Sequence, residues 1–548
     1  MVFIPPKRVP PGGFLLPLFL TALLLSCREK APVIESINPR IGALGEVLSI
    51  RGKNFGAERR ESYVTIAGTA PTNSSYLSWQ DNLITLRVPE FGDSGLVYVH
   101  AGRKKSNGAL FSNAAVIPKP APGPETSFAP RIVSVEPPAG AVGSLISIKG
   151  SGFGSSRERG GVFFSWDADS APGIPAEAAA PESVEVSEAE FGYDLWSERE
   201  IRVRVPDGAI SGNLEVRTLR GAARPVFFEV SGKPGTKTFR DKRTYIISYS
   251  VDIQVKEAAN PNALYLWVPQ PVSSAAQRKI ELLSRNHEPF VENHRSTTLF
   301  QFNNLSPRNA MNVNLSYLVE VYALETSLKV QAIKEGGDSP AKSVYTQPSP
   351  LIPSDDPRIK AQAAALVGRE RNPYIKARRI YEWLMAEGNI RTEPVNGGAI
   401  EALKEKKADP YTAALLFCAL ARAAGVPSLP AAGVLVNRNR QALRHYWAEF
   451  WIDDFGWIPL DPALGAGAAP DSFNLRPDAA AYYFGNLDNQ RLTFSRGQTV
   501  LSQMDPRGRA AVFPRNYALQ NLWEEATGGL ESYSSLWGDV TITGMYIQ

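Results

Sequence analysis

The sequence predicts a multidomain, mostly β chain: two tandem β-sandwiches, a third antiparallel β domain, and an α+β domain at the C-terminal end. Three observations carry this prediction. A segment beginning at Ala31, "APVIESINPRIGALGEVLSIRGKNFG", recurs from Ala129 as "APRIVSVEPPAGAVGSLISIKGSGFG", agreeing at about half of the positions. Alternating apolar and polar residues then run through "YIISYSVDIQV" and "MNVNLSYLVEVYAL". Helix-start signals appear only after "PLIPSDD", followed again by strand-like runs.

At 548 residues the chain has room for several domains, each with its own core. Its formal charge of +4 is small for this length and no long basic run occurs, so nucleic-acid binding is not expected. Residues 1–27, "MVFIPPKRVPPGGFLLPLFLTALLLSC", place Lys7 and Arg8 before an apolar run from Phe14 to Leu25. That is the layout of an export signal, too short for a comfortable membrane span. Its ending, Leu24-Leu25-Ser26-Cys27, resembles the bacterial lipoprotein signal. The resemblance implies lipidation of Cys27, a body anchored to a bacterial membrane through that lipid, and an exported location on the periplasmic or cell-surface face. Cys418 is the second of two cysteines, so with Cys27 lipidated no intramolecular disulfide is possible and packing alone must hold the domains.

Each repeat reads as short strands broken by glycine turns, such as "VLSIRG" and "LISIKG". The shared frame resembles the IPT/TIG family of immunoglobulin-like domains, which implies binding or spacing. The expected Ig-like domains are residues 31–118 and 129–231. A proline-rich stretch, Ile117 to Pro130, reads as a semi-rigid spacer. In the second copy the small-residue, acidic stretch from Asp167 to Asp194 reads as a mobile loop. The alternation of Ile247, Tyr249, Val251, Ile253 and Val255, repeated by Val313, Leu315, Tyr317, Val319 and Val321, marks half-buried antiparallel strands in a third domain, residues 237–330.

The last domain, residues 351–548, opens its helices with one device used three times: Asp356-Pro357, Asn372-Pro373 and Asp409-Pro410. The Asx side chain caps free amide donors, and proline fits the first helical position, where an N–H has no partner anyway. The third helix is nearly all apolar and should be buried, stopping at Gly425 with Pro427 beyond.

The segments "ALARAAGVPSLPAAGVLV" and "HYWAEFWIDDFGWIPLDPA", with a β domain in front, resemble the transglutaminase-like branch of the papain-type cysteine hydrolases. The resemblance implies a cysteine nucleophile at a helix start, a histidine base and an orienting aspartate. It places the histidine at His445 and the aspartate at Asp461. Two-residue alternation puts His445, Trp447, Glu449 and Trp451 on one strand face, and Trp447 and Trp457 are candidate walls of a ligand cleft. The nucleophile position, twelve residues before Arg422, is Pro410. Cys418 lies eight residues further on, displaced by ~12 Å along a helix and ~80° around it, among Leu415, Leu416, Phe417 and Leu420. The expectation is a transglutaminase-like fold whose nucleophile is lost, with Cys418 structural and His445 and Asp461 vestigial, serving to bind a protein or a peptidoglycan peptide. The competing reading is an active peptidase or transamidase in which a helix break brings Cys418 to His445. His100, His287 and His294 lack metal-ligand spacing, so neither a metal site nor a cofactor is expected.

Overall fold

In Val47–Lys53 the inward residues Leu48 and Ile50 are fully buried while their neighbours face outward, as a strand with one core face requires. The computed structural model describes residues 30–547 except 61, 72–74, 90–93, 103, 115–128, 168–182 and 338. The export signal with Cys27 and nearly all of the proline-rich spacer lie outside the described residues. Val47–Lys53 pairs with Val33–Asn38 and Leu83–Arg87, and Tyr76–Trp79 completes the sheet. An opposing sheet of Ile41–Gly42, Ala109–Asn113, Gly95–Ala101 and Tyr63–Ile66 closes the first sandwich.

The second copy reproduces the first down to its irregularities. Both opening strands carry a bulge at the same place, between Ile34 and Ser36 and between Ile132 and Ser134. The repeated glycine before the aromatic has a steric cause. A Cβ on Gly52 would meet the Val33 carbonyl oxygen at 1.9 Å and the Phe55 ring at 2.4 Å; on Gly150 it would meet the Arg131 carbonyl oxygen at 2.0 Å and the Phe153 ring at 2.5 Å. An indole N–H then donates to each aromatic's carbonyl: Trp79 to Phe55 and Trp196 to Phe153, both at 3.1 Å. The stretch expected to be one mobile loop is not one throughout. Its later half forms the strands Ser183–Glu185 and Tyr193–Trp196, the first paired with Gly161–Ser165.

The third β unit is organised by one 35-residue strand, Gly235–Pro269. Ile247, Tyr249, Val251, Ile253 and Val255 are buried, as the alternation predicts. This strand pairs with Ala310–Leu328 and Thr297–Asn303, and Gln277–Arg285 adds beyond Ala310–Leu328. It also pairs with Glu524–Trp537 and Thr541–Ile547, from the end of the chain. The sequence expectation assigned those residues to the helical domain; pairing between segments so far apart leaves no local pattern to read. Trp523 and Trp537 meet edge to face at 4.8 Å in this unit's core, which ties the C-terminal strands to it.

Next come α1 (Pro340–Tyr345), α2 (Pro357–Val367), α3 (Pro373–Glu387), α4 (Ala399–Glu405) and α5 (Pro410–Ala423). Helix α1 comes earlier than expected and uses the same device, the Ser339 hydroxyl accepting from Lys342 N–H ahead of Pro340. The three Asx-Pro starts cap α2, α3 and α5 as expected. Residues Tyr411 to Arg422 of α5 are all buried. The helix packs on an antiparallel sheet ordered Gly456–Leu460, Ala442–Ile452, Ser428–Val436, Arg491–Arg496. Among the described residues no helix is long and apolar enough to cross a membrane.

A chain ended after Leu522 exposes the core side of Gly235–Pro269. It should lose the main cooperative melting transition seen by circular dichroism; melting like the full chain would mean that the C-terminal strands are dispensable.

Candidate functional site

The amino end of α5 is built around Asp409. One carboxylate oxygen accepts from the Thr412 N–H at 2.8 Å and from the Thr412 hydroxyl at 2.8 Å, and the Asp409 N–H donates back to that hydroxyl at 2.9 Å. The other oxygen accepts from the Val395 N–H at 2.8 Å and from the Arg515 guanidinium. Arg515 also lies over the Tyr411 ring, 4.6 Å from its centroid. Asp409 is thus both N-cap and ion-pair partner, with negative charge at the positive helix end. Pro410 occupies the first helical position, where the resemblance places a thiol, and carries no side-chain heteroatom.

Strand Ala442–Ile452 alternates cleanly, since its register with Ser428–Val436 is unbroken. Tyr446 meets Tyr411 of α5 edge to face at 5.0 Å, and Phe450 meets Phe417 at 6.4 Å. His445, Trp447, Glu449 and Trp451 project from the other face. His445 stacks on Trp447 as expected, with ring centroids 6.4 Å apart.

His445 and Asp461 are brought together. The imidazole Nε2 lies 2.8 Å from Asp461 Oδ2, and both side chains are buried. Asp461 also N-caps the short helix Pro462–Gly465, its Oδ1 accepting from the Leu464 N–H at 3.0 Å. Arg491 Nη1 donates to Asp461 Oδ2 at 3.1 Å, and Arg491 Nη2 to Asp488 at 2.7 Å. Burial alone would raise the Asp461 pKa; His445, Arg491 and the Leu464 N–H outweigh it and hold the carboxyl below its ordinary value. Arg491 and Asp488 were not anticipated from sequence. A signal was available: an arginine opening the strand-like run "RLTFSR" demands a carboxylate partner once that strand is buried.

Cys418 is not brought to this pair. It sits in the helical core at 0% exposure, and burial pushes its thiol up to about 12, opposed by the Arg422 charge and a hydrogen bond with Ser428. Ser428 lies opposite Phe450 and Gly433 opposite His445, so five strand residues, ~17 Å, separate the two registers. The helix runs unbroken, and the helix break that the competing reading needs is absent from α5.

The two tryptophans part company. Trp447 is fully buried in a core shared with Trp166, Tyr322, Leu324 and Ala431, so it lines no cleft; the correction arises because the second sandwich packs where open solvent was expected. Trp457 does border open space, lining two cavities, neither lined by His445 or Asp461. Glu449 pairs with Arg496 at 2.6 Å, and Arg496 also pairs with Glu190 of the second sandwich, locking that domain onto the same sheet face. Of the outlying histidines, His294 is buried, its pKa lowered to about 3 by burial and the nearby Arg295. Among the described residues no group of His, Cys, Asp and Glu is placed to hold a metal ion.

Comparison with known proteins agrees with this division. Residues 360–462 match the family model of the transglutaminase-like superfamily, and residues 32–115 match that of the IPT/TIG domain. A cyclomaltodextrin glucanotransferase of Paenibacillus macerans is 28% identical over 89 residues, which is 16% of this chain and only 12% of that enzyme. An uncharacterized protein of Haemophilus influenzae is 26% identical over 266 residues, 41% of this chain and 69% of its own. A candidate cysteine protease of Cytophaga hutchinsonii superposes with a TM-score of 0.36 at 16% identity, covering 57% of this chain and 92% of that one. The chain therefore has an N-terminal Ig-like TIG domain, further β domains, and a C-terminal transglutaminase-like domain with helices.

Proposed function

We propose that this protein is a lipid-anchored bacterial envelope protein whose transglutaminase-like domain binds a protein or a peptidoglycan peptide and does not cleave it. The observation that carries this reading is the pairing of Pro410 at the first position of α5 with a sole described thiol, Cys418, buried elsewhere in the same helix. A cysteine hydrolase needs a thiolate within hydrogen-bond reach of its base. The N-terminal sequence up to Cys27 supports the anchor, and the Ig-like domains support a binding arm. His445 and Asp461 serve as a structural pair, holding two strands and a helix start through Arg491.

Incubated with peptide and amine substrates, the purified chain should show no thiol-dependent turnover, and iodoacetamide should label Cys418 only after denaturation. Turnover abolished by alkylating Cys418 in the native protein would contradict this reading.

Asp461→Ala leaves Arg491 and His445 short of a partner in the interior and should cost about 3–5 kcal/mol of stability at neutral pH in chemical denaturation. The Asp461 pKa lies below its unfolded value of about 3.9, so its contribution is present above that pH and is lost as pH falls through the folded value. The stability gap between the native chain and Asp461→Asn should therefore close in acid. A gap independent of pH would mean that the carboxylate charge is not what stabilises.

A further inference from the structure

Between the second sandwich and the helical domain lies a cavity of ≈ 580 Å³. A second of ≈ 510 Å³ shares Ser187, Glu190, Tyr345 and Trp457 with it. Each falls within the range of small-ligand sites, about 300–1,000 Å³. The floor of the first is cross-linked by buried polar contacts. The buried Asp207 carboxylate accepts from Lys237 and, at 3.2 Å, from the Trp457 N–H, while Lys237 Nζ also donates to the Trp457 carbonyl at 2.7 Å. An aromatic wall stands on this floor: Trp451 and Tyr345 each meet Trp457 edge to face, at 5.4 and 5.0 Å.

Both signs line each flank of the first cavity, but Asp207 and Glu190 on the sandwich side are already paired with Lys237 and Arg496, and Lys334 on the other side stands near Asp454. From the second sandwich come Arg204 and Lys233, whose hydrogen bonds go to the carbonyls of Gly143 at 3.2 Å and Ala209 at 2.9 Å. Among the described residues neither forms an ion pair, and burial lowers the pKa of both, so an anion beside them is favoured. From the other flank come Asp453 and Glu335. Asp453 accepts the Trp451 indole N–H at 2.7 Å on one oxygen; burial and Asp453 raise the pKa of the adjacent Asp454, with Lys334 acting the other way. One flank therefore offers two cations that lack an ion-pair partner among the described residues, the other an excess of carboxylates, and an aromatic surface lies between.

We infer that this cavity binds a short peptide with free ends, its carboxylate held by Arg204 and Lys233, its ammonium by Asp453 and Glu335, and its side chains against Trp451 and Trp457. The inference deepens the binding role proposed above and rests on it only in that the ligand is held, not cleaved. Charge-assisted hydrogen bonds at both ends would select chain ends over chain interiors.

Calorimetric titration of the mature chain with alanyl-alanine, its N-acetyl form and its C-terminal amide tests this. The free dipeptide should bind, and capping either end should weaken it about tenfold or more. Arg204→Ala should weaken the free dipeptide but cost the amide nothing further. Glu335→Gln, an exposed position that leaves the fold intact, should likewise weaken the free dipeptide and not the N-acetyl form. Equal affinity for free and doubly capped dipeptide, binding indifferent to both variants, or no binding at millimolar dipeptide would overturn the inference. None of these outcomes touches the question of turnover, which alone decides the non-catalytic reading.

Discussion

The positive amino end of α5 is committed to a buried carboxylate. Asp409 accepts from Thr412 on one oxygen and from Val395 and Arg515 on the other, so both carboxylate oxygens are engaged. A thiolate nucleophile depends on the same end of the same helix for its low pKa. Here proline pre-sets the first helical dihedral and contributes neither an N–H nor a side-chain heteroatom, which suits the start of a buried helix and leaves it without a nucleophile. Since Tyr411 to Arg422 are out of solvent, the thiol further along has nowhere to act as anything but a small apolar side chain.

The strand that bears the family histidine then works as a two-sided joint. Tyr446, Ala448, Phe450 and Ile452 join the helical core, while Trp447 belongs to a core shared with the second sandwich. The polar members of that second face are each absorbed by an ion network: His445 by Asp461 and Arg491, Glu449 by Arg496 and Glu190. Buried networks of this kind add little net stability over apolar packing but penalise any arrangement that leaves a member unpaired. The network through Arg496 and Glu190 ties the second sandwich to the sheet beside the cavity between them.

Much of this was legible in the sequence because it is local. Asx-Pro caps act within one turn, so Asp356, Asn372 and Asp409 could be read directly. Strand alternation is likewise local, which placed His445 beside Trp447. The sandwich repeat was readable because Gly52 and Gly150 each answer the same contact with an aromatic three residues on. What could not be read depends on distant partners. Nothing in "LESYSSLW" announces that it pairs with Val251–Ala258, nor does Trp447 announce that a domain two hundred residues earlier will cover it. Arg491 shows the same limit: its charge was visible, its two carboxylates were not.

The ionisation of the Cys418 thiol is the most direct measure of whether the helical domain is silent. Ultraviolet thiolate absorbance of the native chain, minus that of Cys418→Ser, should show no thiolate until the titration approaches a pKa of about 12. Thiolate already formed near neutral pH, about 7, would place the sulfur beside a positive charge in an accessible site and would contradict a domain that binds without cleaving.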